Sequence, residues 1–183
     1  MIIAGAGVSG REWTTSLTLF AIASLAFTFG LWFSYFGVAK DKLDSLLESL
    51  DESAVANLAR DSFSMLHYPV LLGIIGVGAV IEQGIIHPDE PLHFEARVGL
   101  AVGIALFVAG MALAIKRAGG DWHIYRLVVT AMVAVAIVFI ADVYAYVTVL
   151  MGLAGLIVIG IIENLGESSE EVDSEAETIT LGG

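Results

Sequence analysis

Leu66–Pro88, LHYPVLLGIIGVGAVIEQGIIHP, is the stretch whose reading decides the fold. Wound as a helix, its 23 residues reach about 34 Å at about 1.5 Å per residue. The hydrocarbon core of a bilayer is about 30 Å thick, so the stretch is long enough to cross one. It opens on a His and a Pro and carries a single carboxylate, Glu82, near its far end. The remaining chain reads as further apolar spans packed around it, joined by charged connections.

Composition supports that reading. The chain has 183 residues, 57% of them hydrophobic, and a mean hydropathy of +0.86. Ordinary globular domains are roughly 45–50% apolar. Eight Lys and Arg against twenty Asp and Glu give a formal charge of −12, which argues against nucleic acid as a partner. Seven of the acids lie from Glu163 onward, in a segment rich in Ser and poor in aromatics, the composition of a disordered tail. There is no cysteine, which excludes disulfides, thiolate-ligated metals and a thiol nucleophile. The N-terminus lacks a basic leader region, so the first apolar run is expected to be retained.

Taken in order, residues 1–12 are a short glycine-rich segment and 13–36 the first span, with Trp13 at one edge and Trp32 and Tyr35 at the other. Aromatics at both edges suit the two interfacial belts. Residues 40–60 have apolar positions at helical spacing and acids opposite, an amphipathic cytoplasmic helix packed on the protein. The second span covers about 63–86, with Pro69 kinking it near its start and Gly73, Gly76 and Gly78 allowing close approach of a neighbour. The third span, about 95–115, repeats the device with Gly99, Gly103 and Gly110 on one face.

From Tyr125 to Ile162 the only formally charged residues are Arg126, beside its start, and Asp142. One helix of that length would be nearly twice the ~30 Å hydrocarbon thickness. It would also hold an ionised Asp at mid-bilayer, costing about 2.5–3.5 kcal/mol. A turn near Asp142 removes both problems and gives a fourth span of about 124–141 and a fifth of about 144–162, followed by the acidic tail, 163–183. The expected fold is therefore an all-α polytopic membrane protein of about five transmembrane helices plus the amphipathic helix. Loops on one side collect six of the eight Lys and Arg (Arg11, at the N-terminus, and Arg97 fall on the other). That bias predicts a multi-pass plasma-membrane protein with its N-terminus outside and its C-terminal tail cytoplasmic.

The run LWFSYF (31–36), then LHYPVLLGIIGVGAVIE (66–82), His87-Pro88, and Gly103 with ALFVAG (105–110) resembles the bacterial and archaeal low-temperature-requirement A membrane proteins. Trp32, Tyr35, Phe36, His67, Pro69, Glu82, His87 and Pro88 fall on the positions of that family's pattern, and MIIAGAGVSG resembles the segment after its Gly-Glu-Ser motif. Gly37 stands where the family has an acid. The resemblance reaches to about residue 163 and corresponds to the C-terminal half of a typical member. It implies a multi-span membrane protein linked by name to growth in the cold, and it supplies no reaction. It also implies two kinds of partner besides the lipid bilayer: a chain supplying the other half, or further copies of this one.

Glu82 has two readings. Intramembrane carboxylates usually line a polar pathway or meet a partner, but Glu82 lies about one turn from its span's end and can instead reach interfacial water, paired with Arg97. His67 and Pro69 sit at the opposite end, about 22 Å away along the axis (15 residues at about 1.5 Å each), too far to form one compact site with it. A kink beside a titratable His could bind a proton or cation, or the His could simply fasten the kink to a neighbouring helix. The loop HPDEPLHFE (87–95) gathers His87, Asp89, Glu90, His93 and Glu95, suitable metal-ligand types at a spacing that matches no metal motif. No nucleophile-elbow, P-loop or zinc-protease motif occurs, and no cofactor is indicated. The sequence therefore favours a non-enzymatic membrane or assembly component, with a proton-coupled carrier using Glu82 and His67 as the alternative.

Overall fold

The computed structural model describes residues 13–39, 67–117 and 124–181. The segment 1–12 and the amphipathic helix expected at 40–60 lie outside these residues. Five helices follow in order: α1 Thr15–Phe33, α2 His67–Ile86, α3 Phe94–Arg117, α4 Ile124–Phe139 and α5 Ala145–Leu181. A π-helical segment, Ser34–Ala39, continues from the end of α1. Four of these helices are long and apolar enough to cross a membrane, and α4 is apolar but shorter, at 16 residues. The molecule is an all-α polytopic membrane bundle.

Local chemistry sets most boundaries. Thr14 caps α1, its hydroxyl accepting from the Leu17 amide at 3.2 Å. The described part of α2 begins at His67, and the kink expected at Pro69 borders residues 61–66, which lie outside the described residues. Pro88 and Pro91 close the short loop between α2 and α3. The expected turn near Asp142 is present: α4 ends at Phe139, Asp142 takes φ 57°, and α5 starts at Ala145. Asp adopts that left-handed conformation more readily than most residues, so a reversal without Gly or Pro is feasible here. At its far end α5 continues in helical backbone to Leu181, past residue 163 where the sequence reading ends the span. Glu, frequent in that stretch, is a good helix former, and a helix already propagating adds further turns cheaply.

Odd-numbered helices run one way and even-numbered helices the other. Two ends result, a His67 end (last turn of α1, start of α2) and a His87 end (end of α2, start of α3). α3 is the most buried, touching α2 along its length on one side and α4 on the other, while α1 packs on α5. α2 and α3 meet backbone to backbone. A Cβ built on Gly73 would lie 2.5 Å from the Gly103 carbonyl oxygen, and one on Gly110 3.1 Å from the Val70 nitrogen. Gly99 faces Val80, Gly76 is looser, and Gly78, expected in the same seam, faces open space. The core is mostly apolar, with Phe20, Phe27, Leu100, Phe107 and Val149 essentially sealed, and it also encloses the hydroxyls of Ser24, Thr130 and Thr148.

Candidate functional site

The His67 end holds a group that the sequence reading missed. Arg126, in the first turn of α4, and Glu163, on α5, are 1% and 6% exposed. The Arg126 Nε and Nη2 both meet Glu163 Oε1. The Tyr125 hydroxyl donates to the same oxygen at 3.0 Å. The Tyr125 hydroxyl and the Arg126 guanidinium therefore converge on one carboxylate oxygen and tie α4 to α5. A charge taken out of water needs this: removing one member of a buried pair costs about 3–5 kcal/mol. One turn along α4, the buried Thr130 hydroxyl has no hydrogen-bond partner among the described residues.

By sequence alone Arg126 counts as a loop cation and Glu163 as the first acid of the tail, because each borders a polar segment. The available signal was the hairpin itself. Folding the chain at Asp142 returns residues lying on either side of it to one end, and Arg126 and Glu163 are then of opposite sign on facing helices.

The same end holds two residues singled out in the sequence. The Tyr35 hydroxyl lies 2.7 Å from His67 Nε2, and the two rings meet edge to face at 5.6 Å. Tyr35 is thus half-buried against a histidine and does not stand free at the interface, whereas Trp32 is 53% exposed and stacks with Phe29 and Phe36. Tyr35 reaches His67 from the π-helical segment, whose wider winding displaces side chains from the α-helical register. That segment also touches α3 and α5.

At the His87 end, Arg97 does not pair with Glu82. Its Nη1 donates to the Ile140 carbonyl, one of those left open as α4 ends, its guanidinium lies over Phe94 at 5.8 Å, and its buried Nε has no hydrogen-bond partner among the described residues. Glu82 is partly buried, with no ion pair among the described residues. His87 lies 3.8 Å from Glu90, both well exposed, beside a half-open cavity of ≈290 Å³ against Thr14 and Leu17. Among the described residues no three His, Asp or Glu side chains are grouped to hold a metal. Trp13 is 64% exposed at the start of α1. The two ends do not meet: His67 and Glu82 sit at opposite ends of α2.

A helical bundle with an apolar interior, and with ion pairs and capped helix ends confined to its two faces, defines the class: a multi-pass membrane protein. The family model described as bacterial low temperature requirement A protein (LtrA) matches residues 1–162. The chain belongs to that family. Searches of curated proteins and of solved structures found no match.

Proposed function

We propose that this LtrA-family chain is a non-enzymatic packing and assembly component of the plasma membrane, with its N-terminus outside and its acidic tail in the cytoplasm. One observation carries the reading. Every Asp, Glu, Lys and Arg of the apolar spans lies near one of the two ends, and the middle of the bundle is filled by uncharged groups: apolar side chains, glycine contacts and the buried hydroxyls of Ser24 and Thr130. A proton-coupled carrier needs ionisable groups near the midplane. The partners of such a component are lipid and a further membrane chain, either a second copy or one supplying the other half of a longer family member.

The test is flux. Purified protein in sealed proteoliposomes, loaded with a pH-sensitive dye or a labelled cation, is expected to leak no faster than empty vesicles. Flux that disappears in Glu82→Gln would replace this reading with a proton-coupled carrier. That second reading draws support from His67 and Glu163, two titratable groups held by hydrogen bonds at one end. Size analysis in mild detergent tests the assembly role, which a solitary, inert monomer would count against.

A further inference from the structure

The outer face of α2 carries a group that a purely lipid-facing surface lacks. Opposite the Gly73 and Val77 side that meets α3, six residues follow one another at helical spacing: Tyr68, Leu71, Ile75, Ala79, Glu82 and Ile86. All but Glu82 are exposed, and Glu82 is partly buried. It lies four residues, about 6 Å, below Ile86, the last residue of α2. Side chains on a helix lean toward its N-terminus, which for α2 is the His67 end. Glu82 therefore leans into the layer, away from the nearer surface. A carboxylate held there calls for a cation beside it.

Among the described residues the chain supplies none. Arg97, level with Glu82 across the α2–α3 seam, is turned to the Ile140 carbonyl, and Lys116, Arg117 and Arg126 belong to the other end. A twofold pairing of two copies through α2 would set Glu82 against its own equivalent, like charge on like. The surface beside Glu82 is nonetheless open to close approach. A Cβ built on Gly78, one turn before it, meets nothing within 4 Å, and Ala79 adjoins that glycine. Small residues next to a polar one let membrane helices seat on each other. We propose that the outer face of α2 seats a transmembrane helix of a different chain, which carries a Lys or Arg opposite Glu82. The inference deepens the assembly role proposed above and rests on it.

The probes are synthetic leucine–alanine helices of about 20 residues, with Arg, Leu or Glu placed about 6 Å below one end and a donor dye attached. The chain has no cysteine, so an acceptor dye at Trp13→Cys, an exposed position off α2, is its single label. In vesicles of dioleoyl phosphatidylcholine the Arg helix is expected to bind roughly tenfold tighter than the Leu helix, with the Glu helix weakest. Glu82→Gln, a change on the outer face, is expected to abolish that preference. Equal binding of the Arg and Leu helices, or a preference that survives Glu82→Gln, would overturn the proposal and leave the face to lipid. Energy transfer between donor- and acceptor-labelled copies of the chain, as strong as that to the Arg helix, would also overturn it and make a second copy the occupant. So would a gain in Arg-helix binding in Arg11→Gln, since the chain's own Arg11 would then be holding Glu82. Assembly in detergent without the Arg preference ends this inference and keeps the assembly role. Glu82-dependent flux with the preference intact ends the packing role and leaves the seat on α2 standing.

Discussion

Glu163 has the Tyr125 hydroxyl and the Arg126 guanidinium on one oxygen and almost no water, so its charge and that of Arg126 depend on each other. Glu163→Gln is expected to destabilise the bundle by about 3–5 kcal/mol, because a buried guanidinium then faces a neutral amide. Arg126→Met with Glu163→Leu together should recover most of that loss, since removing both charges leaves neither unpaired. Thermal unfolding in detergent, followed by circular dichroism, distinguishes the two. Tyr35→Phe is a milder change: it deletes one half-buried hydrogen bond to His67 and should cost about 0.5–1.5 kcal/mol in the same assay. None of these contacts could be read from local sequence. Tyr35 and His67 are 32 residues apart, Arg126 and Glu163 are 37 apart, and each lies where a span meets polar chain, as an ordinary loop or belt residue does.

Helices were far more legible than their partners, because span length and the cost of a charge in hydrocarbon act on single stretches of chain. Asp142 shows this well. Its charge at the middle of an overlong apolar run required a turn, and the turn is there, though no Gly or Pro marks it. Its backbone makes a prediction: Asp142→Asn should be tolerated, while Asp142→Val should cost about 1–2 kcal/mol through its left-handed φ of 57°. The glycine rows were legible as a pattern but not individually. Gly73 lies against the Gly103 carbonyl and Gly78 against nothing, a difference set by helix rotation. Gly73→Ala should therefore lose about 1–3 kcal/mol by overpacking. Gly78→Ala should be neutral or gain up to about 1 kcal/mol from helix propensity. The π-helical winding after α1 had no counterpart in composition, since it depends on how neighbouring helices receive it.

For the whole molecule, fold and solvent go together. The exposed aliphatic and aromatic faces of α1, α2 and α4 leave no route to a monodisperse particle in plain buffer, and light scattering without amphiphile should show aggregation. Reporter fusions at both termini test the topology proposed above: a C-terminal phosphatase reporter is expected to stay inactive, as the positive-inside bias requires.

The two faces of the bundle are fastened unequally. At one, Pro91 pairs with Tyr144 through the backbone and Arg97 holds the Ile140 carbonyl, so the two inter-helix turns are stitched into one piece. At the other, among the described residues, Tyr35 holds His67 and α4 is joined to α5 at Glu163 Oε1. Any splaying of α4 from α5 must therefore pivot about the stitched turns, like a clothes-peg whose spring is at Ile140 and whose jaws close on Glu163.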